Sequence, residues 1–175
     1  MASEADNLPD PRFRKPLGLH ELQNIVNLLL AKNGFHTRFI VMENPDSFSP
    51  VARFRGTPQQ FTILVNPRAA REIPPNTWAF ILGHEIAHGV DARARTNSGA
   101  TTRQIEWTAD ELGAAYAIRG GFDLNAHAGW VFNRPNRGSE TYGSEHERAT
   151  RLVDRYGGRW PEIHTWQQRY RSPLR

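Results

Sequence analysis

An α+β fold, with a small and mostly antiparallel sheet packed on one apolar helix and further helices around it, is predicted by the order of hydrophobic patterns along the chain. One helix-spaced segment comes first, three short alternating segments follow, and helix-spaced segments occupy the remainder. A chain of 175 residues suits one domain and is long enough to bury a core. The polar, proline-containing stretch 1–16 reads as a flexible lead-in, 17–170 as the domain and 171–175 as a tail.

Leu19, Leu22, Ile25, Val26, Leu29 and Leu30 recur at helix spacing, so Leu17 to Asn33 is predicted helical, with Gly34 as its stop. Phe35 to Met42 alternates like a strand until Asn44-Pro45-Asp46 breaks it. Two more strands, Val51 to Phe54 and Phe61 to Val65, flank Arg55-Gly56-Thr57-Pro58, which reads as a hairpin connection. After Pro74-Pro75 a helix begins, capped by Asn76 or Thr77, and it runs through Trp78, Phe80, Ile81, Leu82, Ile86, Ala87 and Val90. Helix formers dominate Glu106 to Tyr116, and Phe122 to Phe132 and Ser144 to Tyr156 are two further helix candidates. Between these last two, Asn133 to Ser144 is a polar Gly/Pro-containing loop placed to rim a cleft, and Pro161 to Tyr170 adds a short final helix.

His84-Glu85-Ile86-Ala87-His88 stands inside the most apolar of these helices. Four-residue spacing puts both imidazoles on one face, one turn apart, where they can reach a single metal ion with Glu85 beside them. Zinc hydrolases use this arrangement: two neutral nitrogen ligands, an open position for water, and a carboxylate to take the water's proton. Burying two histidines and a glutamate without a metal or hydrogen-bond partners would be costly. A purely structural role for all three is therefore the poorer explanation.

The remaining ligand must come from Glu106, Asp110, His127 or His146. A metzincin would need a histidine at position 94 and a glycine at 91; the chain has Ala94 and Asp91, which excludes that class. Glu106 and Asp110 are four apart on a predicted helix and face the same way, so one can bind zinc while the other orients a histidine through its second ring nitrogen. Asp110 suits the orienting task. His127 reads as a loop or surface histidine.

HEIAH, the downstream EWTAD and the run Glu111 to Ala115 ending in Gly120-Gly121-Phe122-Asp123 together resemble the gluzincin peptidases of the HtpX-like and CAAX-prenyl-protease type, over about residues 50 to 155. That resemblance implies a zincin-like metalloprotease domain with one zinc ion held by His84, His88 and Glu106. It also implies Glu85 as general base, Asp110 as support for a ligating histidine, and a peptide or unfolded protein as substrate. Towards the C-terminus the family carries a histidine followed by proline, then an arginine near the reaction centre. Here Glu147 stands in place of the proline and Arg151 comes one residue early. His146 and Arg151 are accordingly the candidates for transition-state stabilisation, with Arg148 as a substitute and Tyr142 as a further oxyanion donor. In zincins a sheet edge above the cleft pairs with extended substrate, and Phe61, Thr62, Ile63, Leu64 and Val65, shortly before the zinc helix, are the candidate strand.

Three other functions fit parts of the sequence. A regulatory protease of the ImmA/IrrE type also combines HExxH with an ExxA-type helix, but the GGFD turn and the His146 helix favour the HtpX-like reading. A DNA-associated SprT-like protease would suit the basic charge but calls for a third histidine ligand. A catalytically silent zinc-containing binding module would have no need of Glu85.

Composition narrows the field further. The absence of cysteine excludes disulfides and thiolate ligands, so zinc must be held by nitrogen and oxygen. It is compatible with either a cytoplasmic or an exported protein. No apolar run is long enough to span a bilayer. Since many members of the resembled family are membrane-embedded or tethered, the chain is expected to be a stand-alone catalytic domain or one lacking its signal or anchor. The formal charge of +4 is carried almost wholly by arginine, Lys15 and Lys32 being the only lysines, and no nucleic-acid motif accompanies it.

Overall fold

The computed structural model describes residues 17–44, 52–57, 60–66, 68, 72–95 and 99–156. They form an α+β structure in the order α1 (Leu19–Lys32), β1 (Phe39–Glu43), β2 (Ala52–Thr57), β3 (Gln60–Val65), α2 (Pro75–Val90), a 3₁₀ turn (Ala92–Ala94), α3 (Thr102–Arg119), α4 (Leu124–Phe132), β4 (Gly138–Ser139), β5 (Gly143–Ser144) and α5 (Glu145–Tyr156). The lead-in, the Asn44-Pro45-Asp46 break beyond Asn44, Val51 and the expected helix from Pro161 to Tyr170 lie outside the described residues.

α1 forms where its periodicity places it. Leu22, Ile25, Val26, Leu29 and Leu30 are buried, Gly34 takes φ +71°, and the Phe35 amide returns to the Leu30 carbonyl to close the helix end. The start of α2 differs from expectation. Pro74 precedes the helix and Pro75 occupies its first position, where the missing N–H costs nothing. Asn76 and Thr77 are instead buried in the first turn, and Asn76 Oδ1 accepts from the Asp123 amide at 2.9 Å, which ties α2 to the start of α4.

The sheet is mixed rather than mostly antiparallel. β2 and β3 form the expected hairpin, with Thr57 opposite Gln60, but β1 runs parallel to β3 and the order is β1-β3-β2. A hairpin is a local signal; the direction of β1 is set by packing against α1 and is not written in its alternation. Gln23 of α1 covers the outer edge of β1, donating to the Phe39 carbonyl at 2.9 Å and accepting from the Val41 amide at 2.8 Å. The inner sheet face, Phe39, Val41, Ile63 and Val65, meets α1 and α2 in one core with Trp78, Leu82 and Ile86.

α2 and α3 cross in backbone contact. A Cβ on Gly83 would stand 2.5 Å from the Gly113 carbonyl oxygen, and one on Gly113 would stand 2.4 Å from the His84 amide nitrogen. Any side chain at this crossing would force the helices apart, and the crossing lies one residue before His84 and three after Asp110. Gly113→Ala is expected to destabilise the fold by about 1–3 kcal/mol, the usual range for overpacking. Denaturant titration of the variant checks this; a wild-type value would show that the crossing yields freely.

Candidate metal centre

Three ligand atoms, one each from His84, His88 and Glu106, lie within 4.8 Å of one another at the α2–α3 crossing, the arrangement expected from the two motifs. His84 Nε2 and His88 Nε2 are 2.9 Å apart, and the Glu106 carboxylate oxygens stand 3.1 Å from the first and 3.4 Å from the second. Ligands about 2.1 Å from a tetrahedral zinc stand about 3.4 Å from one another, so the two shorter separations would need to lengthen by a few tenths of an ångström to take the ion.

The other ring nitrogens explain why the first pair faces inward. His84 Nδ1 is 2.7 Å from Asp110 Oδ1, and His88 Nδ1 is 2.7 Å from the Ala94 carbonyl oxygen, in the 3₁₀ turn after α2. Both oxygens only accept, so each Nδ1 carries a hydrogen, and in the neutral rings each Nε2 is left with its lone pair. Two lone pairs and a carboxylate then converge on one point, which calls for a cation.

Arg148 of α5 donates from Nε to Asp110 Oδ2 at 2.7 Å and from Nη2 to Oδ1 at 2.8 Å, a bidentate pair, and its Nη2 stands 3.7 Å from Glu106. Burial disfavours charge on His84, but the Asp110 and Glu106 carboxylates outweigh it and push its pKa up to about 10. Glu106 and Asp110 answer in the opposite sense. Burial would raise both, yet hydrogen bonds from His84 and His88 hold Glu106, and from His84 and Arg148 hold Asp110, below the ordinary carboxylate range.

Glu85 is 9% exposed on α2, and its Oε2 accepts from the Phe54 amide of β2 at 2.6 Å. Nothing in the sequence marked Phe54 or Ala94, because both contribute main-chain groups. Gln104 and Thr101 cap α3 reciprocally, and Arg103 and Trp107, either side of Glu106, hold the 140–142 turn between β4 and β5: Arg103 donates to the Glu140 carbonyl and, at 3.1 Å, to that of Thr141, and Trp107 Nε1 donates to the Tyr142 carbonyl at 2.8 Å. The loop expected to rim the cleft is thus fastened beside Glu106.

Two expected catalytic residues stand elsewhere. His146 Nε2 lies 3.1 Å and 2.9 Å from the Val131 and Arg134 carbonyl oxygens, so it donates to the C-terminal end of α4 and fastens α5 to it. Arg151 pairs with Glu111 at 3.3 Å and lies 3.6 Å over the Trp107 ring, leaving Arg148, the substitute, as the arginine that reaches the cluster. Tyr142 exposes its side chain at the tip of the turn. The candidate substrate strand needs the same correction: β3 is central, paired with β1 on one side and β2 on the other, so its main chain is already used.

His127 is a half-buried helix residue and not a loop residue. It lies on α4, its ring stacked 4.5 Å from Phe80 at 6° and its Nδ1 3.3 Å from Thr77 Oγ1, and burial depresses its pKa to about 4 against a weak opposing pull from Asp110. The unfolded chain, with an ordinary histidine near 6.5, then binds the proton more readily than the folded one. The stability this group contributes is complete above pH 6.5 and is lost as pH falls towards 4, by up to about 3 kcal/mol. Chemical denaturation of metal-free wild type and His127→Phe at pH 7 and pH 4.5 is expected to show a smaller acid loss in the variant; parallel losses would place this linkage in other groups.

Among the described residues, no helix is long and apolar enough to cross a membrane. Compared with protein-family models, with curated proteins and with solved structures, the chain matches none.

Proposed function

We propose that the protein is a zinc-dependent metalloendopeptidase of the gluzincin, HtpX-like kind, acting on peptides or unfolded protein. The convergence of His84 Nε2, His88 Nε2 and a Glu106 oxygen beside Glu85 carries this reading. Zinc held there would supply a Lewis acid and lower the pKa of a bound water to near neutral. Glu85, with Oε2 held by the Phe54 amide, would be the carboxylate that takes a proton from the attacking water and returns it to the leaving amine. Asp110 and the Ala94 carbonyl keep both histidines in the ligating tautomer, and Arg148 holds Asp110 in place. Extended substrate pairs along the outer edge of β2, on the main-chain groups other than the Phe54 amide that Glu85 holds, because Gln23 covers the outer edge of β1 and β3 is enclosed.

The third ligand separates this reading from a SprT-like one. That class needs a histidine there, whereas His127 is packed on Thr77 and Phe80, and His146 on the end of α4. Metal analysis of the purified protein, followed by digestion of a broad peptide library before and after chelation, tests the proposal. Stoichiometric zinc and chelator-sensitive cleavage are expected. Zinc without cleavage would favour the silent binding module.

A further inference from the structure

A carboxylate withdrawn from water as far as Glu85 is costly without a donor, and among the described residues the Phe54 amide is the one hydrogen-bonded to it. The bond is short, 2.6 Å, as N–H donors to ionised oxygens tend to be. Its amide belongs to the edge strand of the sheet and points away from β3 towards α2. β2 is also pressed into place. The Phe54 ring packs 6.1 Å from Phe39 and 5.5 Å from Phe61, and both Phe39 and Phe54 lie against Gly89, one turn after Glu85. A Cβ on Gly89 would stand 2.7 Å from the Phe39 ring and 3.0 Å from that of Phe54. The bare helix surface at Gly89 thus sets how closely the strand approaches, and that approach sets the bond to Glu85.

Resting on the peptidase reading above, we propose that the Phe54 amide is a positioning group for the Glu85 base. It pins one carboxylate oxygen so that the other keeps a fixed aim at the attacking water. The strand along which substrate pairs is then also the strand that aims the base, so a displacement of β2 changes the rate of the chemical step as well as substrate binding.

The test exchanges Phe54 for phenyllactic acid, which replaces the amide N–H by an ester oxygen and keeps the ring. With zinc content unchanged, kcat is expected to fall about 10–100-fold and KM to stay within about twofold, the loss appropriate to one hydrogen bond to a charged group. A second measurement needs neither the ester nor turnover. In proton–nitrogen correlation spectra of protein labelled at phenylalanine, the Phe54 amide proton should resonate downfield and move upfield in Glu85→Gln. Unchanged kcat in the zinc-loaded ester, a loss confined to KM, or a Phe54 resonance indifferent to Glu85→Gln would each overturn the proposal. If wild-type protein binds zinc yet cleaves nothing, the peptidase reading fails while the amide response still reports the Phe54–Glu85 bond, so the two failures are told apart.

Discussion

Replacing Glu85 by glutamine is expected to lower kcat by about 10²–10⁴-fold while zinc stays bound and the fold is retained, the range that a positioned general base contributes. The side-chain carbonyl of glutamine can still accept the Phe54 hydrogen bond that Glu85 Oε2 accepts at 2.6 Å, so the packing of β2 on α2 has no reason to change. The position facing the water, however, becomes an NH₂ group that has no lone pair for a proton. Peptide-library digestion alongside metal analysis of the variant checks the expectation. Turnover at the wild-type rate would remove Glu85 from the chemistry, and loss of zinc would mean that the residue acts by holding the site together.

Much of the candidate ligand set is legible in the sequence because it is local. The spacing of His84 to His88 and of Glu106 to Asp110 fixes which side chains share a helix face, whatever the helices later pack against. What brings the two faces together is less visible: Gly83 and Gly113 let α2 and α3 touch, and neither glycine announces its partner. The errors fall where docking decides. Arg148 and Arg151 are three apart on one helix, so both are plausible from spacing, and the seating of α5 gives Arg148 to Asp110 and Arg151 to Glu111. His146 was read as chemistry but fastens α5 to the end of α4, and His127 was read as surface but lies against Phe80. β3 stands out in the sequence as the substrate-pairing candidate by its place shortly before α2, but pairing with β1 and β2 encloses it on both sides and leaves it no edge.

Glu106→Ala is expected to lower zinc affinity more than 10²-fold and to take turnover with it, beyond the 10–100-fold that loss of a supporting residue behind a ligand typically costs. The variant leaves two histidine nitrogens, no third ligand, and the Arg148 guanidinium, 3.7 Å from the missing carboxylate, without that counter-charge. Asp110→Asn provides the contrast. Its side-chain carbonyl can still accept from His84 Nδ1, but the bidentate charge pair with Arg148 is gone, so affinity should fall only about 10–100-fold and raised zinc should restore activity. Competition against a chromogenic chelator, with turnover followed as zinc is added, separates the two. If Glu106→Ala binds zinc like wild type, the third ligand is another residue and the gluzincin reading fails; if Asp110→Asn is indistinguishable from wild type, the Arg148–Asp110–His84 chain braces the fold without tuning the metal.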